Sequence, residues 1–531
     1  MRRVIGVVLG TAVLSAGATV GLPHRVGAEP PRPSGIGWTA CAEPAGERRE
    51  RGEAPVECGT VEVPLDHAAP GGSRITLAVN RVRGSARRDG THLGALLVNP
   101  GGPGASGQEL AKFVAATLPA EVAARFDVIG FDPRGVGASK PALSCVDPER
   151  HYAAPRPDNV PRGAAEEAAL VARARDFAAA CGEKAGRLLP YLDSAATVHD
   201  MDAIRAALGE EKISYFGYSY GTYLGAAYAT AYPRRIFRLV LDSVVDPAGV
   251  WYHTNLTQNL AFDRRHKRFL SWVAKHHDVY RLGKDPKQVE FAWYAMRGRL
   301  RAKPAGVLGP SELDDVYTVA GYTDAVWPKL AAAFSAYALR GETEKLLAAR
   351  REHAVIGAKE ENSYAVYTSV ECRDAAWPRD WGVWRADSRR IYARAPFLTW
   401  ANTWYNAPCA FWPVPSGRPP AVGTGDLPPV LLLQAEQDAA TPYPGALRVR
   451  RLFPTARLVA EGGGNHGVGL AGNTCVDRHL TRYLTEGVLP ARRAGSAADA
   501  RCAGRPDPSA ALRMAAGHSA HLRLIRALRG G

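Results

Sequence analysis

The feature that most constrains this 531-residue chain is an alternation of short apolar runs with helical patterns. Eight runs, rich in β-branched or apolar residues and bounded by turn residues, are predicted strands: Gly59–Leu65, Arg74–Arg83, Gly94–Asn99, Phe126–Phe131, Ile213–Tyr218, Arg238–Val245, Val430–Ala435 and Ala456–Glu461. Two early strands, followed by strands that alternate with helices, indicate an α/β fold with a mostly parallel sheet.

Residues 248–425 interrupt this alternation. Amphipathic helices are predicted there over Asn255–Val279, Pro286–Arg301, Asp324–Leu339 and Glu342–His353. The segment is rich in Trp and Tyr, and we expect most of these rings to pack between helices. The sequence therefore predicts a helical cap between the sixth and seventh strands, core segments at 29–247 and 426–490, and a tail at 491–531. The tail could dock on the core, touch an anionic surface or fray.

The N-terminus has the pattern of a secretory signal peptide over residues 1–28. Two arginines precede an apolar stretch from Val4 to Leu14, and small residues follow. We expect cleavage after Ala28, with Ala18 as an earlier alternative, and Gly and Pro before residue 30 disfavour an uncleaved anchor helix. No later stretch of the sequence is long and apolar enough for a transmembrane segment.

Net charge is +15, with 67 Lys and Arg against 52 Asp and Glu. Removal of residues 1–28 takes away three arginines and no acid, which leaves +12. A net positive charge favours binding to nucleic acid, to an anionic membrane or to a cell-wall polymer. Because the arginines are scattered and no DNA-binding motif occurs, we expect no nucleic-acid partner. Association with the cell envelope stays open.

Eight cysteines in a secreted chain predict disulfides. None lies in a C-x-x-C pair, so structural zinc is not expected. Sequence alone allows 105 pairings, and free buried thiols are the alternative. We expect sequential closure of short loops, in the pairs Cys41–Cys58, Cys145–Cys181, Cys372–Cys409 and Cys475–Cys502.

Gly217-Tyr218-Ser219-Tyr220-Gly221 follows a predicted strand and precedes a predicted helix. This matches G-x-S-x-G in the strand–turn–helix context that the motif requires. Small residues on either side of the serine let strand and helix approach, and the helix N-terminus favours developing negative charge. The pattern predicts Ser219 as a nucleophile.

A serine nucleophile needs a base and an acid that orients it, in the chain order Ser, Asp, His. Asp438 lies just past the strand Val430–Ala435, and His466 lies on a glycine-rich loop after Ala456–Glu461. Active sites of open α/β sheets lie at these carboxyl ends of strands. We therefore expect Ser219, Asp438 and His466 to form a triad.

Other acids compete with Asp438. Asp242 and Asp246 lie near the end of the sixth strand, where a cap or turn is the alternative, and Glu436 is a third candidate that could face solvent. Thr441 either steadies the Asp438 loop by a hydrogen bond or caps the helix that follows.

The loop Asn99–Gly107 suits an oxyanion hole. Glycines let the backbone approach a substrate oxygen, so we expect the amides of Gly102 and Tyr220 to be the donors; an ordinary turn is the alternative. A glycine-rich turn after the fourth strand is predicted to be structural, with Asp132 and Arg134 paired. No phosphate loop or metal motif occurs, so no cofactor or metal is expected.

Together these residues resemble the α/β-hydrolase fold and, more narrowly, the secreted tripeptidyl aminopeptidases of actinobacteria, relatives of prolyl aminopeptidase among the serine peptidases. The resemblance covers residues 38 to 505 and rests on the order of the motifs at 99–107, 132–139, 217–221, 241–247, 438–442 and 466. Prolyl aminopeptidases begin the oxyanion loop with His where this chain has Pro100, which favours the tripeptidyl branch. The resemblance implies an extracellular serine exopeptidase that releases short peptides from free N-termini through an acyl-enzyme.

Such an enzyme needs a carboxylate for the substrate α-ammonium. Glu371 and Asp374 in the cap are candidates, because residues three apart in a helical turn would share a face. The alternative is a solvated turn in which Arg373 pairs with them. A secreted carboxylesterase or lipase with the same triad is the rival function.

Overall fold

The computed structural model describes residues 35–42, 54–86, 90–423, 426–495, 497–510 and 516–529. The predicted signal peptide, residues 1–28, lies outside these ranges. None of the helices within them is long and apolar enough to cross a membrane.

Ten strands of the described residues form one sheet. They are β1 (Thr39–Ala40), β2 (Val56–Pro64), β3 (Arg74–Val82), β4 (Ala95–Asn99), β5 (Asp127–Phe131), β6 (Ile213–Tyr218), β7 (Ile236–Asp242), β8 (Val430–Ala435), β9 (Ala456–Glu461) and β10 (Ala500–Cys502). Their spatial order is β1-β2-β3-β5-β4-β6-β7-β8-β9-β10. Pairs from β1 to β5 are antiparallel, and all pairs from β5 to β10 are parallel. The α/β-hydrolase fold class is confirmed, and the short edge strands β1 and β10 add to the eight predicted strands.

Helices connect the strands of the sheet, and one further helix follows the last strand. Before β8 these are α1 (Gly107–Thr117), α2 (Ala120–Ala123), α3 (Pro148–His151), α4 (Ala164–Ala185), α5 (Ser194–Ala207), α6 (Tyr220–Ala231), α7 (Tyr252–Lys275), α8 (His277–Tyr280), α9 (Pro286–Ala302), α10 (Pro310–Tyr322), α11 (Trp327–Arg340), α12 (Glu344–His353), α13 (Ala358–Asp374), α14 (Trp381–Tyr392) and α15 (Thr399–Asn406). After β8 come α16 (Pro444–Leu452), α17 (Thr474–Glu486) and α18 (Ala516–Leu528). Helices α7 to α15 all lie between β7 and β8, which correspond to the sixth and seventh predicted strands.

The central strands are buried on both faces. Leu97 of β4 packs in a cluster with residues of α4 to α6, whereas its neighbours Leu96 and Val98 pack with residues of α1, α17 and α18. This alternation follows from the two-residue repeat of a strand. Because β4, β6, β7, β8 and β9 run parallel, the carboxyl ends of β4, β6, β8 and β9 lie at one edge of the sheet.

The aromatic residues of the inserted helices mostly pack against one another. Trp272, Trp293 and Trp327 are fully buried, and the rings of Trp272 and Trp327 lie 5.8 Å apart. The helix predicted from Asp324 is divided: a 3₁₀ turn covers Asp324–Val326, and α11 begins at Trp327. Pro328 explains the new start, since proline suits the first turn of a helix, where an N–H has no partner.

Four disulfides form, in the pairs that sequential loop closure predicts. They join Cys41 to Cys58, Cys145 to Cys181, Cys372 to Cys409, and Cys475 to Cys502.

The predicted pairing of Asp132 with Arg134 is wrong. Arg134 instead donates to both carboxylate oxygens of buried Asp200, each at 2.7 Å. Asp132 accepts from the Ser106 hydroxyl at 2.5 Å and from the Gln108 amide at 2.8 Å. Residues two apart in this turn face different neighbours, so Asp132 braces the loop that follows β4.

The tail docks on the core. Leu524 and Leu528 of α18 pack beside Gly467, and a Cβ on Gly467 would lie 2.8 Å from Leu524 Cδ2. Leu524 is fully buried. Of the three alternatives for the tail, docking on the core is therefore the one observed over α18.

Candidate active site

Ser219 lies on the sharp turn between β6 and α6. Its φ of 55° and ψ of −128° are strained for a residue with a side chain. A Cβ on Gly217 would lie 2.4 Å from the Gly221 carbonyl oxygen, and one on Gly221 would lie 2.6 Å from that of Asn99. Glycines therefore allow the close approach of strand and helix that holds Ser219 at the edge of the sheet.

His466 and Asp438 form a buried pair at the same edge. His466 Nδ1 lies 2.9 Å from Asp438 Oδ2 and 3.1 Å from Oδ1. Thr441 donates to the same carboxylate, through Oγ1 at 2.9 Å and its amide at 3.1 Å. Thr441 thus steadies the Asp438 loop, whereas Tyr443 occupies the N-cap position of α16.

The pKa of His466 is raised above its usual 6.5. Burial lowers this pKa, but the charge of Asp438, its hydrogen bond and the charge of Asp242 together raise it by more. Because Nδ1 faces a carboxylate, it bears the proton in the neutral ring, and Nε2 is left as the proton acceptor.

The competing acids have other partners. Asp242 accepts from the amides of Val468 and Gly469, the latter at 2.6 Å, and so holds the histidine loop. Burial raises the pKa of Asp242 to about 7. Asp246 caps a 3₁₀ turn, and Glu436 pairs with an exposed arginine. Of these acids, Asp438 is the one that contacts the His466 imidazole.

The glycine loop after β4 lies against the serine turn. Gly101 and Gly102 have φ values of 100° and 103°, which favour glycine. A Cβ on Gly101 would lie 2.9 Å from both Ser219 Cβ and the Tyr220 amide nitrogen. Tyr220 begins α6, and the first amides of a helix have no partner within it. The loop backbone therefore lies against Ser219 and Tyr220 at Gly101, and Gly102 is the next residue of the loop.

A cavity of about 1210 Å³ opens beside the serine. Its walls come from three parts of the chain: Ser219 and His466 from the core, Asn255 and Glu371 from the inserted helices, and Ile525 from α18. Its volume exceeds the usual range of small-molecule sites, so it can accept an extended ligand.

Glu371, on α13, faces this cavity although it is only 4% exposed. Asn255 Nδ2 donates to its Oε2 at 3.1 Å. Burial raises the pKa of Glu371 to about 8, and the groups that act on this pKa are Tyr367, Asn255 and Asp374. No cation among the described residues is one of them. Glu371 is therefore a buried acid that no described side chain neutralises.

Asp374 has hydrogen-bond partners different from those of Glu371. It accepts from the Ser194 amide at 2.7 Å, the Ser194 hydroxyl at 2.6 Å and Trp251 Nε1 at 3.0 Å. Burial raises the pKa of Asp374 to about 7. Asp374 thus binds Ser194 and Trp251, whereas Glu371 binds Asn255 and lines the cavity. Arg373 pairs with neither of them but lies 3.4 Å from Asp193.

Sequence reasoning missed the groups that hold the backbone of His466. Its amide donates to the Tyr322 carbonyl at 2.8 Å, and its carbonyl lies 3.0 Å from His521 Nε2. The ring of Tyr322 stands edge-on to the imidazole at 5.4 Å. Both partners come from distant segments, α10 and α18, and no local motif marks them.

An α/β-hydrolase sheet, a serine on a strand–helix turn and a histidine–aspartate pair at the same edge define a serine hydrolase. The model of a family described as "TAP-like protein" matches residues 395–502. The chain is 42% identical to a tripeptidyl aminopeptidase of Streptomyces lividans over 90% of this chain and 88% of that protein. Serine protease Hip1 of Mycobacterium tuberculosis is 32% identical over 87% and 91% of the two chains. Carboxylesterase B of the same organism is 31% identical over 85% and 88%.

The chain belongs to the tripeptidyl aminopeptidase family, because its similarity to the Streptomyces protein spans nearly all of both chains.

Proposed function

We propose that this chain is a secreted serine exopeptidase that releases short peptides, in particular tripeptides, from free N-termini. The observation that carries the proposal is Glu371, a buried acid without a described cationic partner, in the cavity that Ser219 also lines. Burial keeps this carboxyl mostly protonated at neutral pH in the free protein, since its pKa is about 8, and an α-ammonium bound beside it favours the charged carboxylate. Peptides are thus the expected substrates.

The reaction proceeds through an acyl-enzyme. His466 Nε2 takes the proton of Ser219 as the serine oxygen attacks the scissile carbonyl. Asp438 keeps the imidazole in the required tautomer and stabilises its positive charge. His466 then protonates the leaving amine, and water, activated by the same imidazole, hydrolyses the ester to free the peptide and Ser219.

The oxyanion of each tetrahedral intermediate lies between the amides of Gly102 and Tyr220. Fixed backbone donors stabilise the charge as it develops, and removal of one such donor typically costs about 10²–10³ in rate. The left-handed conformation of Gly102 supports this assignment, since it turns the loop backbone beside the serine.

The amine anchor and the serine together set the length of the peptide released. Glu371 binds the ammonium at one point of the cavity and Ser219 attacks the carbonyl at another. The distance between these two residues therefore fixes how many substrate residues lie between the amine and the scissile bond. The name of the 42% identical relative supports a count of three.

An extracellular location is supported by the four disulfides, which are typical of oxidising compartments. The signal pattern at residues 1–28 supports the same location.

The second candidate is a carboxylesterase with the same triad, which the relative named Carboxylesterase B favours. An ester substrate with an apolar acyl group leaves Glu371 without a partner. A peptide with a free amine gives Glu371 a partner, so we prefer the exopeptidase function to the esterase function.

A pair of matched substrates tests the proposal: a tripeptide arylamide with a free amine and the same compound N-acetylated. We expect efficient cleavage of the free form alone. In E371Q, kcat/KM for the free form should fall about 10²-fold, because a neutral amide replaces the charged partner of the ammonium.

E361Q is the matched control, because Glu361 is a buried acid of the same helix that accepts from the amides of Cys145 and Val146. It should retain the wild-type preference. Equal cleavage of free and acetylated substrates, or cleavage of short acyl esters alone, would contradict the exopeptidase proposal.

A further inference from the structure

The backbone of His466 forms hydrogen bonds through both its amide and its carbonyl. Its amide donates to the carbonyl of Tyr322 at the end of α10, at 2.8 Å. Its carbonyl lies 3.0 Å from Nε2 of His521 on α18, and the next carbonyl, of Gly467, lies 3.1 Å from the same nitrogen. The inserted helices and the C-terminal helix therefore meet at the histidine of the triad.

The partners of His521 define its tautomer. Carbonyl oxygens only accept, so Nε2 bears the hydrogen and donates to both of them. Nδ1 then accepts from the hydroxyl of Thr323, which lies 2.7 Å away. Burial lowers the pKa of His521 well below its usual value, so the ring stays neutral. Every polar atom of this imidazole thus has a defined partner.

The contact between His521 and the histidine loop is buried. His521 is 0% exposed, and the flanking Leu524 and Leu528 pack against Gly467 of the same loop. A second contact reaches the residue before His466: the Asn465 side chain accepts from Arg265 and from the Asp324 amide, each at 2.9 Å. The loop is thus held on both sides of the imidazole.

We propose that His521 is a positioning residue for the reaction: by binding the carbonyls of His466 and Gly467, it holds the His466 imidazole between Asp438 and Ser219. This inference rests on the proposed triad and extends it to the C-terminal helix. The helix then completes the active site as well as lining its cavity, where Ile525 and Leu528 contribute to the wall.

Three substitutions in the full-length protein test the inference. H521M keeps the volume and removes the donor, and H521Q retains an amide donor near the Nε2 position. L522A is the matched control: Leu522 is the next residue, it is 8% exposed, and it packs against the inserted helices rather than the histidine loop. For each variant, kcat and KM on a free tripeptide arylamide, the rate of fluorophosphonate labelling at Ser219 and thermal stability are measured.

We expect kcat of H521M to fall about ten- to a hundredfold with KM changed less than about twofold, because a small displacement of the base costs such factors. Labelling should slow in parallel, since it also needs His466 as the base. H521Q should regain most of the loss. L522A should lose thermal stability while its kcat stays near that of the wild type.

The inference is overturned if H521M keeps kcat within twofold of wild type, or if L522A loses as much kcat as H521M, which would indicate a role in packing alone. If H521M does not fold, the variant T323V replaces it, because this substitution removes the hydroxyl that orients the His521 ring. A kcat of T323V equal to that of the wild type would overturn the inference. Failure of the proposed function is distinguishable, because a wild-type esterase would still be labelled at Ser219 but would not cleave the free tripeptide arylamide, and the labelling rates of H521M and wild type would still test His521.

Discussion

At the scale of single residues, two buried aspartates act on different parts of His466 and its loop. Asp438 contacts the imidazole at Nδ1, whereas Asp242 binds the amides that follow it. Both are buried, and both lie at or just past the end of a strand. The proposed assignment of the acid therefore rests on geometry, with the imidazole held by Asp438 and the loop backbone by Asp242.

The raised pKa of His466 predicts how activity depends on pH. A protonated imidazole cannot accept the Ser219 proton, so activity is lost as pH falls through the pKa of His466. Since this pKa lies above 6.5, kcat/KM should decline on the acid side from a point above pH 6.5. The measurement is kcat/KM from pH 5 to 9.

Glu371 also titrates in this range, with a pKa of about 8. E371Q removes that second titration, so the acid side of its kcat/KM profile reports the titration of His466 alone. A profile of E371Q that stays flat down to pH 5.5 would be inconsistent with a neutral His466 base.

The residues of the proposed triad could be predicted because each follows from local sequence. A strand, a glycine-flanked turn and a helix mark Ser219, and strand-end loops mark Asp438 and His466. Glu371 and Asp374 could not be separated in this way, because their difference depends on where α13 packs. His521 depends on a contact 55 residues away, which no local pattern encodes.

At the scale of elements, α13 links the cavity to the rest of the inserted helices. It carries Glu371, and the next residue, Cys372, is joined by a disulfide to Cys409 in a 3₁₀ turn at Ala407–Ala410. The covalent link lies beside the proposed ammonium anchor. It therefore restrains the helix at the position where the substrate amine would bind.

Removal of this link should affect both stability and substrate binding. In the double variant C372S/C409S, loss of a crosslink at a separation of 37 residues should cost about 4 kcal/mol of unfolding free energy. KM for a free tripeptide arylamide should rise, because α13 is less restrained. Calorimetry and steady-state kinetics measure the two effects.

C41S/C58S provides the matched comparison, because that disulfide joins β1 and β2 at the sheet edge. It should lower stability without raising KM. An equal rise of KM in both variants would argue against a specific role for the link at α13.

The elements differ in how well the sequence predicts them. The bounds of β6, β8 and β9 agree with the prediction, because each is a short, mostly apolar and buried run bounded by turn residues. The edge strands β1 and β10 are only two and three residues long and carry no such pattern. Helices α13 to α15 were not predicted, because they bury polar side chains such as Thr368 and Ser388 among their aromatic ones, which obscures the apolar periodicity.

At the scale of the whole molecule, one cavity is built by three parts of the chain. The sheet supplies the nucleophile and base, the inserted helices supply the proposed amine anchor, and α18 completes the wall. An extended substrate enclosed in this way can be held at its amine while its carbonyl is attacked. The organisation of the molecule therefore favours cleavage near a free N-terminus.

The most direct test of this account is intact-protein mass spectrometry of the acyl-enzyme. The protein is mixed with an unblocked peptide, quenched with acid within milliseconds and then digested to locate the adduct. We expect an added mass equal to the N-terminal tripeptide acyl group on Ser219, and none with the N-acetylated peptide or with S219A. An adduct from an internal or C-terminal fragment, an equal adduct from the blocked peptide, or undiminished hydrolysis by S219A would contradict it.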